Sequence, residues 1–308
     1  MRITNRMIVD NTVNNLTGAM DRLYELQKQN ATHKKYLKAS DNPSNAASVF
    51  TLKSVLKTST VYEETAQSTN DWMSATDFTL QQVSDKAQIA ISSALRGLSD
   101  TSGAETRVTI AEEIDGILKE VIDMANTKHL DRYIFAGFST DTRPFNPILA
   151  NPADPNSRIT AVQYKDGTPA TQAFQAIRRD IGPGETITVN IDGYATFQGL
   201  IDSLIAVRDS LMANDLPTLR TATDALSTAF DQVTLATTIN GSRIRDIDGA
   251  QERISESNVQ LKALLSSKED ANMAEVTAEL ANQENIYQTV VTISSRMQSM
   301  VNLFESLG

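Results

Sequence analysis

Two histidines are the residues of this chain best suited to bind a metal or to transfer a proton, but neither has a partner nearby in the sequence. His33 and His129 lie far apart, and no other metal ligand follows either of them at three or four residues. The chain has no cysteine, which excludes disulfides and thiolate metal sites. We therefore predict that both histidines lie on helix surfaces and that the protein binds no metal and no cofactor.

The glycine-rich segment "GPGET" at residues 182–186 is the only stretch that resembles a phosphate-binding loop. No lysine follows its glycines and no helical pattern begins after it, so a β-turn is the better interpretation. The sequence also lacks a G-x-S-x-G motif or another nucleophile paired with a base. With no catalytic residues to assign, we predict that the protein is not an enzyme.

Composition and charge narrow the classes of partner. Hydrophobic residues make up 40% of the chain and charged residues 21%, enough for a core, whereas the 6% of aromatic residues favours long helices. Residues 1–40 carry seven Lys and Arg against three acidic residues, so this segment has a net charge of +4. The rest of the chain has a net charge of −14, which gives the total of −10. The basic residues are scattered among Asn, Thr and Gln, so we predict no nucleic-acid binding.

The sequence contains no apolar stretch of the roughly 18 residues that a membrane span needs. Its start, "MRITNRMIVDN", lacks the continuous apolar core of a secretory signal. We therefore predict no membrane association, and composition alone indicates a cytosolic protein.

Apolar residues recur in steps of three and four over most of the chain, which predicts long amphipathic helices. The middle helices have small or polar seam residues and can pack as an antiparallel bundle. Asn42 and Pro43 are suited to the N-cap and first position of one such helix. The first and last helices carry wider apolar rows, which we call the terminal stripes: Val9, Val13, Leu16, Met20 and Leu23, and Ile286, Val290, Ile293, Met297, Met300, Phe304 and Leu307.

Proline and glycine are concentrated between Arg132 and Gly199, where "RITAVQY", "AFQAI" and "ETITVNI" read as short strands. "INGS" at residues 239–242 predicts a turn, and "SSKEDANMAE" predicts a break before the last helix. The expected fold is mainly α with a β-rich insertion (α+β), an elongated antiparallel bundle or coiled coil built from both chain ends. We expect five segments: terminal helix 1–40, half-bundle 41–145, outer β insertion 146–198, half-bundle 199–269 and terminal helix 270–308.

The terminal stripes raise the question of what covers them. Stripes at helical spacing usually form a core, and the internal ones fit that interpretation. The C-terminal stripe is widened by Val301 and Leu303. Burying its seven large side chains would contribute on the order of 10 kcal/mol, and left exposed they would aggregate or bind a partner. The two terminal helices are natural partners for each other, and their stripes favour assembly over a monomeric core.

Four stretches resemble the flagellin superfamily, and within it the proteins of the hook–filament junction. They are "MRITNRM" at the start, "THKKYLKASDNPSNAA", "ANTKHLDRYIFAGFSTDTRPF" and "SSKEDANMAEVTAEL". The third stretch separates the junction proteins from ordinary flagellin, and its matching residues are Arg132, Tyr133, Ile134, Phe135, Ala136, Gly137, Pro144 and Phe145. His33 and the pair Leu130–Asp131 stand where the family commonly has glycine, and Asn42 where it has Asp.

The resemblance implies a structural adaptor that joins hook-associated protein 1 on one side to flagellin on the other. Its terminal helices would form an inner tube in a helical or ring-shaped polymer of identical subunits. It also implies secretion through the flagellar type III exporter without a cleaved signal peptide, with a cytoplasmic export chaperone. The protein would then be extracellular and serve motility, which replaces the cytosolic interpretation.

Three alternatives stay open at the level of the sequence. A divergent flagellin is the nearest, and the "RYIFAGF" stretch and the short insertion argue against it. A type III translocator should contain an apolar membrane-inserting hairpin, which the sequence does not show. A cytosolic coiled-coil scaffold would remain inside the cell, so cell fractionation distinguishes it.

Overall fold

The computed structural model describes residues 5–154, 157–168 and 173–307; in the terminal helices, the described side chains are those of residue 7, residues 10–297 and residue 299. Within these residues the chain is mainly helical, as predicted. The helices are α1 (Asn5–Thr32), α2 (Pro43–Gly97), α3 (Ala104–Ala125), α4 (Gly193–Ala213), α5 (Leu216–Glu269) and α6 (Met273–Leu307).

Short antiparallel hairpins lie between α3 and α4. They pair β1 (Lys128–His129) with β2 (Arg132–Tyr133), β3 (Phe145–Leu149) with β4 (Ile159–Tyr164), and β5 (Arg178–Gly182) with β6 (Glu185–Thr188). In the largest hairpin Phe145 is opposite Tyr164. The predicted combination of helices with a β-rich insertion is therefore confirmed.

The predicted strand "AFQAI" is wrong, because residues 173–177 form no regular structure and β5 begins only at Arg178. A side chain replaces the strand ladder here. The Asn190 amide accepts a hydrogen bond from the Ile177 N–H at 2.8 Å and donates one to the Gln175 carbonyl at 2.7 Å. Backbone groups satisfied in this way no longer require a partner strand.

Of the predicted helix boundaries, the start of α2 and the break before α6 are found in the structure, and the turn at residues 239–242 is not. The Asn42 side chain accepts the N–H of Asn45 at 3.0 Å, and α2 begins at Pro43 as predicted. The predicted turn at residues 239–242 is wrong, because α5 runs through it without a break. Asn240 is fully buried there and donates to the carbonyl of Met73 at 3.0 Å, so tertiary packing outweighs the roughly 1 kcal/mol that Gly241 costs a helix.

The chain divides into two compact units: residues Met1–Thr58 with Ser257–Gly308, and residues Ser59–Glu256. The second unit contains one hydrophobic core that α2–α5 and the hairpins share. Ile159, Val162 and Tyr164 of β4 belong to this core together with Phe197 of α4 and Ile114 of α3. The five-segment division stays a prediction, and the shared core weighs against an insertion that folds independently.

Candidate assembly surface

The two terminal helices pair with each other in antiparallel orientation. The Arg22 guanidinium binds the Glu279 carboxylate at 2.8 Å, and the Gln283 side chain donates to the carbonyl of Ala19 at 3.1 Å. Nearer the outer end of the pair, the hydroxyl of Thr12 lies 3.7 Å from the sulfur of Met297. As the residue number increases along α1, the number of its contact partner on α6 decreases, so the two helices run antiparallel. This fits the expectation that each terminal helix is the partner of the other.

Each helix contributes one row of buried or half-buried residues, which we call the pairing line. The steps along both rows alternate between four and three, the spacing of a coiled-coil seam. On α6 the row is interrupted by polar side chains, among them Gln283 and Ser294. The pairing line comprises Thr12, Leu16, Ala19, Leu23 and Leu26 of α1 and Val276, Leu280, Gln283, Tyr287, Val290, Ser294 and Met297 of α6.

The terminal stripes coincide with the pairing line only in part. Leu16, Leu23, Val290 and Met297 belong to both rows and are half-buried. The other described stripe residues remain uncovered: Val13 is 54% exposed, Met20 57%, Ile286 41% and Ile293 51%. Met7 is also exposed. The side chains of Val9, Met300, Phe304 and Leu307 lie outside the described residues.

Apolar side chains on both helices therefore stay exposed after the two helices have paired with each other. Apolar side chains at about half exposure retain roughly half of the ~1.5–3 kcal/mol that full burial of each would release. Apolar side chains that stay exposed in a regular row along a helix are candidates for association with a partner. We call the exposed residues Val13, Met20, Ile286 and Ile293 the free face.

The segments that join the terminal helices to α2 and α5 also bind each other, and we call them the linker pair. The Lys35 N–H donates to the Glu269 carbonyl at 2.8 Å, and the Ala271 N–H donates to the His33 carbonyl at 2.9 Å. The Glu269 carboxylate binds the ammonium groups of Lys34 at 2.5 Å and Lys53 at 2.8 Å. Hydrogen bonds from Lys34 and then Lys53 hold the pKa of Glu269 below its ordinary value.

His33 adopts a left-handed backbone conformation, with φ of 58°. The hairpin turn at Leu130 and Asp131 does the same, with φ of 48° and 62°. The family resemblance implies glycine at these positions, and a left-handed backbone is the conformation that glycine adopts most readily. Residues with a Cβ pay about 1–2 kcal/mol for this conformation.

Five of the eight matching motif residues are buried, so the motif is mainly structural and is not displayed for binding. Ile134, Phe135, Ala136 and Phe145 are essentially inaccessible to solvent, and Pro144 is buried. Gly137 has φ of 60°, a conformation that favours glycine. Arg132 is exposed, whereas Tyr133 is half-buried with the ammonium of Lys128 4.6 Å from its ring.

Several residues that the sequence did not single out hold this motif in place. The Asn126 side chain accepts the N–H of Phe145 at 3.0 Å and donates to its carbonyl at 2.9 Å. The Tyr164 hydroxyl donates to the Phe135 carbonyl at 3.0 Å, and burial, followed by the charge of Asp192, raises the pKa of Tyr164 to about 12. Of these residues, the sequence pattern could have identified only Tyr164, because the alternation in "ITAVQY" places it on the inner face of the strand together with Val162.

The aromatic rings around the motif form a compact cluster. The ring of Phe197 lies 4.6 Å from that of Phe135 and 5.7 Å from that of Phe145, both in edge-to-face geometry. Gly193 lies against the same residues, since a Cβ at this position would be 2.3 Å from the Phe135 carbonyl oxygen. The motif thus fixes the start of α4 against the end of α3 and the first long hairpin.

Two curated relatives match part of the chain. It is 26% identical to flagellar hook-associated protein 3 of Salmonella typhimurium and 25% identical to the protein of the same name from Escherichia coli, in each case over 147 residues. The resemblance to flagellar hook-associated protein 3 is confirmed. The alignments cover 47% of this chain and 46% of each relative, so the match spans about half the length of these proteins. No family model matches the chain.

The fold is also that of solved hook-associated proteins. The crystal structure of Bacillus cereus FlgL superimposes with a TM-score of 0.58 at 23% identity, over 70% of this chain and 99% of that one. Xanthomonas campestris FlgL gives a TM-score of 0.59 at 15% identity, over 70% of this chain and 99% of that one. At these identities the likeness concerns the fold: a helical bundle with a small β region.

No helix within the described ranges, 5–154, 157–168 and 173–307, is both long and apolar enough to cross a membrane. No group of three or more histidine or acidic side chains in these ranges is arranged to hold a metal ion.

Proposed function

We propose that this chain is a structural, non-enzymatic subunit of the bacterial flagellum that joins the hook to the flagellin filament. The observation that carries the proposal is the free face: after the terminal helices pair, Val13, Met20, Ile286 and Ile293 remain exposed. The resemblance to hook-associated protein 3 supplies the class of assembly that would cover them.

Assembly with other subunits supplies the missing contacts. The pairing line includes polar side chains such as Thr12, Gln283 and Ser294, so the two helices bury little apolar surface by pairing with each other. Burying the free face against neighbouring subunits adds the apolar contacts that the pair lacks. The partners in this proposal are hook-associated protein 1 on the hook side, flagellin on the filament side and further copies of the chain within the junction.

Export belongs to the same proposal. A subunit that functions outside the cell has to pass the flagellar type III exporter, and its apolar terminal helix would need cover beforehand. We propose that a cytoplasmic export chaperone binds α6 and that no signal peptide is cleaved. The protein would then lie at the extracellular hook–filament junction.

Immunogold labelling of hook–basal bodies with attached filaments tests the proposal. Label restricted to the distal end of the hook is the expected result. Label along the whole filament would instead identify a divergent flagellin, and absence of the protein from sheared flagella, with retention in the cytoplasm, would refute an extracellular role. Deletion of the gene should leave hooks without filaments and release flagellin into the medium.

A further inference from the structure

A cleft lined by lysines opens beside the linker pair, within the unit that contains the terminal helices. It has a volume of about 220 Å³, and its floor includes Tyr36, Leu37, Val49 and Phe50. Phe50 is 65% exposed, although it lies on a helix. We call this site the linker cleft. Its basic side chains are Lys34, Lys38, Lys53 and Lys268, with Lys35 in the adjoining depression.

Carboxylates neutralise only part of this charge. Glu269 binds Lys34 and Lys53. Asp41 accepts the backbone N–H groups of Leu37 and Lys38, and these hydrogen bonds, that of Lys38 first, lower its pKa. Asp270 accepts the hydroxyl of Ser266 at 2.6 Å.

Three of the five lysines remain available. Lys35, Lys38 and Lys268 are exposed and form no ion pair with any residue in the part of the chain that the structure describes. Five lysines against three carboxylates leave the linker cleft with a charge of +2, in a protein whose total charge is −10.

The chemistry of the cleft matches an acidic protein segment better than a polyphosphate. Arginine is the residue that binds phosphate through a bidentate fork, and the residues that line the cleft include no arginine. A nucleic acid would also meet the repulsion of a protein with a charge of −10. An amphipathic segment with carboxylates beside an apolar side chain fits both the rim of lysines and the floor of Tyr36 and Phe50.

We infer that the linker cleft binds a carboxylate-bearing surface of a second copy of this chain in the assembled junction. Charge complementarity supports this occupant, because the chain outside residues 1–40 has a charge of −14. Copies of so acidic a protein repel each other when they pack closely, and a cationic cleft facing an acidic neighbour offsets that repulsion. The inference rests on the proposed junction function and adds a polar contact to the apolar one made by the free face.

Carbodiimide cross-linking of isolated junction particles tests the contact, since this reagent joins lysine amines to carboxylates that already touch. We expect covalent dimers of the chain in which mass spectrometry finds Lys35, Lys38 or Lys268 linked to an Asp or Glu. The double variant Lys38→Gln/Lys268→Gln should lose the links through these two lysines and form fewer filaments, most clearly at low salt, where the charge interaction is least screened. The matched control, Lys57→Gln/Lys262→Gln, removes two exposed lysines of the same unit, reaches the same net charge and should behave like the wild type.

The outcomes separate this inference from the proposed function. If the protein lies at the junction but the double variant assembles like its control and no linked lysine maps to the cleft, the inference is wrong and the junction function stands. If the protein is absent from the junction, the proposed function fails first. Purified wild-type protein that binds single-stranded RNA, with binding lost in the double variant and kept in the control, would assign the cleft to nucleic acid and overturn the inference. Equal thermal melting of all three proteins confirms that folding is unaffected.

Discussion

Ile293→Glu places a charge on the free face and distinguishes assembly from folding. Ile293 is 51% exposed in the paired helices, so about half of its transfer free energy, roughly 1 kcal/mol, is already gained in the monomer. The aliphatic stem of glutamate keeps part of that burial. We expect the free energy of unfolding to fall by no more than about 1 kcal/mol.

Assembly should suffer much more. Covering position 293 in a polymer would forfeit the remaining half of the isoleucine transfer free energy and would desolvate a carboxylate without a partner, a cost of several kcal/mol per subunit. Since each 1.4 kcal/mol is a factor of ten in an equilibrium constant, a penalty of about 3 kcal/mol lowers subunit association by roughly a hundredfold. The penalty recurs at every subunit of the junction.

The assay combines urea unfolding of the purified variant with motility, filament counts and flagellin in the medium. Gln288→Glu is the control, because it adds the same charge at an exposed polar position of α6. Export of both variants has to be measured as well, since a chaperone that binds α6 could respond to the same change. Normal filaments from Ile293→Glu secreted at the wild-type level would show that the free face is not an assembly surface.

Four further changes test the fold. Gly193→Ala should destabilise the protein by about 1–3 kcal/mol in urea unfolding, because its Cβ would overlap the Phe135 carbonyl oxygen; no loss would mean that α4 can shift away. Leu130→Gly should stabilise by about 0.5–1 kcal/mol, the relief of a left-handed backbone less the entropy of glycine, and a loss would indicate a contact for this 84% exposed side chain. Because the pKa of Glu269 is lowered, the Glu269 carboxylate stabilises the linker pair fully at pH values above its ordinary pKa of 4.5, and this stabilisation is lost as the pH falls through the folded-state pKa. Amide exchange in the linker pair should therefore become faster at low pH in the wild type, and Glu269→Gln should not show this pH dependence. Replacing residues 147–197 with a Gly/Ser linker should lower the helical melting temperature, because the hairpins share the helical core, and an unchanged melt would establish a separable insertion.

Local sequence signals predicted the fold where a short-range interaction fixes the backbone. Asn42 and Pro43 specified the start of α2 because capping involves residues three positions apart. The signals misled where distant residues decide. Gly241 reads as a turn, yet the bond from Asn240 to Met73 spans 167 residues and keeps α5 helical.

The candidate site was predictable to a similar degree. Apolar spacing identified both terminal helices and four residues of the pairing line, because a stripe of period three and four has to face something. The spacing did not predict which residues the partner helix would cover, because the terminal stripe and the pairing line on each helix have some residues in common. Leu16 and Leu23 lie in both rows, whereas Met20 lies only in the exposed one. The linker cleft depends on lysines from residues 34–53 and 268, and no sequence window brings them together.

The division of α6 into two rows separates the contacts that pair the terminal helices from the contacts proposed to join subunits. The row that faces α1 includes Gln283 and Ser294, whereas the neighbouring free row carries Ile286 and Ile293. If Ile286 and Ile293 lay in the pairing line instead, the half of each side chain that is now exposed would be buried against α1. At about 1 kcal/mol for each isoleucine, pairing of the two helices would gain roughly 2 kcal/mol before assembly. The same amount would then be missing from the contact between subunits. In the proposed function, this order leaves the isoleucines of α6 for contacts between subunits, while the polar side chains of the pairing line limit the apolar contribution to pairing within one chain.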